Sequence, residues 1–211
     1  MPTNTGYGFP YPTSNEPVAN GAANIQSLAS TVDLKMGLHK IIPTSAVNAS
    51  VSGDGDVTFS AVSPVSVNGA FSSLFQSYRI IFSLAGSVGG SFANFRLRAA
   101  GVDLQTANYY RYGYTTAFGS GSLATYNAAA QTQHSIVGQW GGGLVSTCIM
   151  DISDPQTTNR AHWSDIVNDT GAGAVYNQSA VVDVTTSYDG FTIFANAGNM
   201  TGSIRIYGYR N

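Results

Sequence analysis

Tyr78-Arg79-Ile80-Ile81-Phe82-Ser83-Leu84 decides the fold. Tyr78, Ile80, Phe82 and Leu84 take every second position, and successive side chains of an extended chain point to opposite faces, so the stretch predicts a strand with one apolar face. The same period recurs on either side of it. Val57, Phe59 and Ala61 share a face within residues 56–62, Phe95 and Leu97 alternate with Arg96 and Arg98, and Ile204 and Ile206 face away from Arg205, Tyr207 and Tyr209. Residues 135–139, 145–152, 162–167, 174–184, 191–196 and 203–209 add further strand candidates. Clusters rich in Gly, Ser, Asp and Asn separate them, at 52–55, 86–90, 119–121, 141–143, 170–173 and 197–199. Short strands at this spacing, with no helical pattern between them, predict a mainly β chain: an antiparallel, jelly-roll-like β-sandwich over residues 41–211. One short helical turn is expected at residues 71–75.

Composition agrees with that class. Charged residues make up 9% of the 211, against roughly a quarter in ordinary soluble proteins. Lys35 and Lys40 are the two lysines and Glu16 the single glutamate, so the chain from residue 41 onward lacks two residue types that coat exposed helices. A net charge of −2 with scattered arginines offers no basic stripe for nucleic acid. Cys148 is alone within an apolar run, which excludes an intramolecular disulfide and a multi-cysteine zinc site and predicts a small buried hydrophobe. The first 24 residues show neither a basic start nor an apolar stretch, and no run is long and apolar enough to span a bilayer. The expectation is a soluble protein made in the cytoplasm, without membrane insertion.

Before residue 41 the pattern differs. Pro2, Pro10, Pro12 and Pro17 favour an extended arm over residues 1–17, along which Tyr7, Phe9 and Tyr11 alternate. Alternating aromatics suit docking onto another chain; a frayed terminus is the alternative. In residues 18–36, Val18, Ala22, Ile25, Ala29, Val32 and Met36 recur at spacings of four and three, the period of a coiled-coil seam, and Gly37 offers a stop. A helix this short with an alanine-rich seam is marginal alone because nucleation is costly. It needs partners, either other copies or the chain's own β domain. The division that results is 1–17 arm, 18–40 helical oligomerisation segment and 41–211 β-sandwich.

Signals for catalysis are weak. His39, His134 and His162 show no i, i+4 pairing for a metal, and no motif calls for a cofactor. His162-Trp163-Ser164-Asp165 holds the residue types of a hydrolytic triad, but such groups must converge in space, and no Gly-x-Ser-x-Gly elbow is present. Asp151, Asp154, Asp165 and Asp169 could supply paired carboxylates for glycoside cleavage. Asp154-Pro155 and Asp169-Thr170-Gly171 also read as ordinary turns, where Asp binds the backbone.

Binding is the better-supported chemistry. Tyr109, Tyr110, Arg111, Tyr112 and Tyr114 crowd a stretch without clean alternation, as in a recognition loop, since Tyr gives wide contact at low entropic cost. A saccharide face would suit it; a subunit interface or the core edge is the alternative use. Trp140, before the triple glycine, is expected to be exposed and to join this set, whereas Trp163 is expected in the core.

Gly8-Phe9-Pro10-Tyr11-Pro12, the run Glu16-Pro17-Val18-Ala19-Asn20-Gly21-Ala22-Ala23-Asn24-Ile25-Gln26-Ser27-Leu28-Ala29, and the closing Gly202-Ser203-Ile204-Arg205-Ile206-Tyr207-Gly208-Tyr209-Arg210 resemble tail-fibre and minor tail proteins of bacteriophages. Tyr78-Arg79-Ile80-Ile81-Phe82, Phe95-Arg96-Leu97-Arg98 and Asn108-Tyr109-Tyr110 extend the similarity over nearly the whole chain. The resemblance implies a homotrimeric virion protein. Its N-terminal arm would attach to other virion proteins through Tyr7, Phe9 and Tyr11, its helices would form a trimeric bundle, and its outer domain would contact a host-surface glycan or protein. A capsid fibre, decoration or collar protein with a structural role fits the same architecture, and a polysaccharide depolymerase is a third reading.

Overall fold

The computed structural model describes residues 3–4, 10–11, 21–35, 37–137 and 143–209. In chain order the elements are β1 (Thr3–Asn4), β2 (Pro10–Tyr11), α1 (Gly21–Lys35), β3 (Leu38–Lys40), β4 (Ser45–Val47), β5 (Ser50–Val51), β6 (Val57–Val62), β7 (Val65–Asn68), β8 (Ser77–Gly86) and β9 (Ala93–Ala99). They continue with β10 (Val102–Asp103), β11 (Tyr109–Ala117), β12 (Leu123–Gln131), β13 (His134–Val137), β14 (Ser146–Ser153), β15 (His162–Asp169), β16 (Ala174–Val182), β17 (Gly190–Ala195) and β18 (Met200–Tyr209).

Two antiparallel sheets form a sandwich. The larger, of ten strands, runs β12-β11-β16-β15-β14-β8-β18-β6-β5 with β3 added beside β18; the smaller, of six, runs β10-β9-β17-β7-β4 with β13 beside β9. Alternation places the core. Tyr78, Ile80, Phe82 and Leu84 of β8, Cys148, Met150 and Ile152 of β14, and Ile204 and Ile206 of β18 all turn inward and are fully buried. They meet Phe95 and Leu97 of β9, Phe191 and Ile193 of β17 and Val65 and Val67 of β7 from the facing sheet. Each buried Val, Leu, Ile, Phe or Met among them stabilises the fold by about 1.5–3 kcal/mol through removal from water. Phe191 sits at the junction, its ring stacked 5.3 Å from Phe95 and 6.0 Å from both Phe82 and Phe71.

The final strand lies deep in this arrangement. β18 pairs with β8 along its whole length, with β6 on its other side and with β3 near its end. Ile204 and Ile206 are buried beneath it, as the alternation predicts.

Several expectations change. Residues 71–75 hold no helix: Ser73 and Leu74 form a turn in which the Phe75 N–H donates to the Ser72 carbonyl at 3.4 Å. Within the arm, Thr3 and Asn4 pair antiparallel with Tyr11 and Pro10. Tyr7 and Phe9 lie outside the described residues, as do Val18 and Met36 of the seam. The helix itself is present over Gly21–Lys35, and Gly37 beyond it has a φ of +80°, a left-handed conformation that glycine adopts without a Cβ clash. Ala22 and Val32 lie within it, while Ile25 is 69% exposed and Ala29 is exposed, so in a single chain these two seam residues are open to solvent.

Candidate functional site

The outer face of the large sheet is a grid set by register. Tyr112 on β11 lies opposite Asn127 on β12 and Ser179 on β16; Ser179 lies opposite Ser164 on β15, Ser164 opposite Asp151 on β14, and Asp151 opposite Arg79 on β8. One row along, Tyr110, Val181, His162 and Ser153 align in the same way. On the other side the row is Tyr114, Asn177, Ile166, Ile149 and Ile81.

Side-chain size then shapes the surface. Ser153, Ser164 and Ser179 are short and occupy the central strands, whereas Tyr110 and Tyr112 rise on one flank and the Arg79–Asp151 pair stands on the other. The result is a concavity of about 770 Å³ whose lining includes Tyr110, Tyr112, Asn127, Asp151, Ser153, His162, Ser164 and Ser179. A second hollow of about 370 Å³ shares Tyr112, Ser164 and Ser179 with it and continues past Tyr114, Ile166 and Asn177.

Its electrostatics are nearly neutral. Asp151 Oδ1 accepts from Arg79 Nε at 2.8 Å and Oδ2 from Arg79 Nη2 at 2.7 Å, a bidentate pair that also takes the Tyr209 hydroxyl at 3.1 Å. That pairing pushes the Arg79 guanidinium above its ordinary range. With the arginine matched by its carboxylate, the groove presents hydroxyls, an amide, the His162 imidazole and the face of Tyr112, which is 61% exposed. Such a set complements a neutral ligand dense in hydroxyl groups with an apolar face for the ring.

The stretch from Tyr109 to Tyr114 is strand rather than recognition loop, and its residues divide between two sides. Tyr110, Tyr112 and Tyr114 face outward. Tyr109 does not reach the groove: it is 2% exposed, and its hydroxyl accepts from the Leu97 N–H at 2.8 Å and donates to the Leu104 carbonyl at 3.2 Å. Arg111 likewise turns to the inner side, its guanidinium 5.7 Å from the Tyr126 ring. Trp140 lies outside the described residues. Trp163 is in the core, 3% exposed and edge-on to Phe95 and Tyr109.

Burial pushes the phenols of Tyr109 and Tyr126 well above the ordinary tyrosine range. An unfolded tyrosine titrates near about 10. Between that value and the higher folded one, only the unfolded chain loses its proton, so stability is intact below about pH 10 and falls as pH rises beyond it. Phenolate absorbance is expected to rise in two stages, exposed tyrosines first and the buried ones together with unfolding. Tyr109→Phe should flatten the alkaline loss of stability.

The aspartates do not form a catalytic pair. Asp151 is outward and held by Arg79; Asp154 occupies a turn at φ +59° and accepts from the Gln76 amide at 3.1 Å. Asp169 is buried and caps its own turn, accepting from the N–H groups of Gly171 and Ala172 at 3.0 and 3.1 Å. Asp165 faces inward, Oδ1 receiving His134 Nε2 at 2.9 Å and Oδ2 receiving Gln178 Nε2 at 2.6 Å. Because β15 alternates, His162 and Ser164 lie on the opposite side of the sheet from Trp163 and Asp165, which splits the adjacent triad residue types. Cys148 is fully buried, and that burial pushes its thiol up. Among the described residues no cluster of three or more His, Cys, Asp or Glu is placed to hold a metal ion.

His162 and Ser164, which the sequence offered only as hydrolytic residue types, line the groove, together with Ser179 and Asn127, which sequence reasoning missed. Alternation within residues 162–167 carries the signal for the first two. Ser179 and Asn127 become visible only through cross-strand register.

No family model matches the chain, and no curated protein does. Among solved structures it is similar to the Caenorhabditis elegans galectin LEC-6, at 13% identity over 76% of this chain and 100% of that one, with a TM-score of 0.38. The SPRY domain of human HERC1 is similar at 10% identity, 83% and 99% coverage and a TM-score of 0.34. The C-terminal CBM6 of LamC, a marine laminarinase from Zobellia galactanivorans, follows at 14% identity, 81% and 98% coverage and a TM-score of 0.29. Likeness at this level says nothing about the site's chemistry, which rests on this chain's own residues.

Proposed function

We propose that this chain is a non-enzymatic, glycan-binding virion protein of a bacteriophage, whose large sheet holds a host-surface saccharide in its outer groove. The groove carries the reading: a serine floor, tyrosines on one flank and a neutralised Asp151–Arg79 pair on the other. The virion assignment is supported by the resemblance of the arm, helix and closing strand to phage tail-fibre and minor tail proteins. Three copies join through the seam of Val18, Ala22, Ile25, Ala29, Val32 and Met36, the exposed Ile25 being the kind of side chain such a contact would cover. Residues 1–17 attach the trimer to the particle, 18–40 assemble it, and 41–211 bind the ligand.

Titration of the full chain with host-surface polysaccharide fragments, followed by calorimetry, tests the groove. Wild type is expected to bind saturably, and Tyr112→Ala to weaken binding about fivefold or more, the loss of one aromatic anchor. Unchanged affinity in Tyr112→Ala would refute the groove as the site. Sedimentation of wild type against Ile25→Asp tests the assembly. Trimers should give way to monomers, and a wild type that is monomeric at high concentration would overturn that part.

A further inference from the structure

A second hollow, of about 250 Å³, lies on the inner side of β11, β12 and β16, closed from the small-sheet side by Phe92 and Ser135. It is many times larger than the roughly 10–15 Å³ one buried water requires. Arg111 enters it from β11, since Arg111 lies opposite the inward-facing Ala180. Arg111 Nε is shielded from solvent without a hydrogen-bond partner, and no ion pair reaches this guanidinium from the described residues. The Tyr126 hydroxyl is also buried and unpartnered. Asp165, whose charge acts on Tyr126, has its oxygens taken by His134 and Gln178.

The space is built by the sequence. Tyr126 lies opposite Gly113, and a Cβ there would come 2.9 Å from the Tyr126 hydroxyl and clash with the Asn177 carbonyl, so glycine is what lets the phenol lie flat across β11. Tyr176 stands 6.2 Å from the Tyr126 ring and gives the hollow a second aromatic wall.

A half-buried guanidinium without a counter-ion is costly, and a phenol hydroxyl without an acceptor adds to the cost. Both groups can donate, and a planar fork matches the two oxygens of a carboxylate. One cation calls for a monoanion, and aromatic walls suit a ring-shaped body. We propose that this hollow binds a carboxylate carried on a small ring, its oxygens accepting from Arg111 and the Tyr126 hydroxyl and its ring lying against Tyr126 and Tyr176. The hollow lies on the other side of the sheet from the outer groove; Arg111 and Asn127 border both, whereas Tyr112 borders the groove and not the hollow.

Calorimetric titration of the full chain with glucuronate, benzoate, a hexuronate oligosaccharide and glucose tests it. At least one carboxylate is expected to bind saturably, and glucose at the same concentration is not expected to occupy this site. Arg111→Gln should weaken that binding about tenfold or more, and Tyr126→Phe a few-fold, by loss of hydrogen bonds to a charged acceptor. Arg111→Gln removes no hydrogen bond to another described residue and should fold, which thermal unfolding checks; Tyr126→Phe keeps the ring wall in place. Tyr112→Ala should leave the carboxylate affinity unchanged, so failure here and failure of the outer groove are separable. Response to the free acids points to a metabolite, and response to the oligosaccharide alone to an acidic polymer; either sustains the proposal. Absence of saturable binding by every carboxylate, or full affinity in Arg111→Gln, overturns it.

Discussion

Phe191→Ala is expected to lower the unfolding free energy by about 3–5 kcal/mol, the range for truncating a buried aromatic that leaves a cavity. Phe191 is fully buried on β17 and is the one ring of the small sheet that meets Phe71, Phe82 and Phe95 together. Phe82 comes from the facing sheet, so its loss removes contact across the whole thickness of the sandwich. The void cannot close by one rotamer change, because the four rings occupy both sheets and the loop before β8. Phe118→Ala serves as the comparison: Phe118 is 58% exposed, and surface truncation usually stays within about 0.5 kcal/mol. Urea unfolding of the two variants measures the difference. Equal midpoints would refute the placement of Phe191 at the centre of the core.

Asp165→Ala is expected to cost about 3–5 kcal/mol, as when one partner of a buried pair is removed and the other is left behind. His134 and Asp165 are both essentially inaccessible, and Gln178 donates to the second carboxylate oxygen while also donating to the Ser135 carbonyl at 3.1 Å. Alanine would leave His134 Nε2 without its acceptor and the Gln178 amide with the Ser135 carbonyl as its remaining one, in a dry interior. Ser164→Ala, one residue away on the outer face, should change stability little, and it reports on the groove instead. Asp165→Asn retains an acceptor and the volume, so it should recover part of the loss. If the alanine variant unfolds at the wild-type midpoint, the His134–Asp165–Gln178 network does not hold the large sheet together.

What could be read from the chain depended on whether a strand shows one apolar face. β8 and β18 do, and their burial follows the residues from Tyr78 to Leu84 and from Ser203 to Tyr209; β15 alternates in burial too, but its inner face mixes Trp163 and Val167 with Asp165 and Asp169. β11 hides its period because tyrosines stand on both faces: Tyr109 inside, Tyr110, Tyr112 and Tyr114 outside. β12, Leu123-Ala124-Thr125-Tyr126-Asn127-Ala128-Ala129-Ala130-Gln131, lies at an edge and is largely exposed, so no alternation marks it. Its pairing with β11 supplies the order that its own composition lacks. The groove follows the same logic. Tyr110, Tyr112 and Tyr114 were visible as an aromatic cluster, but the serine floor sets Ser164 beside Ser179, 15 positions on, and the flank joins Arg79 to Asp151, 72 positions on, a matter of register rather than of local sequence.

The insertion of β18 between β8 and β6 also governs how the molecule is made. While the ribosome is still translating the region before residue 200, the two flanking strands have a gap between them instead of a neighbour, and the large sheet stays in two pieces. Closure must wait until residues 200–209 emerge, so the large sheet completes only after every strand from β3 to β17 has been made. Until then the open margins of β8 and β6 are templates for another nascent chain. The scarcity of charge on those margins, where Arg79 is the one charged residue of β6 and β8, sharpens that hazard.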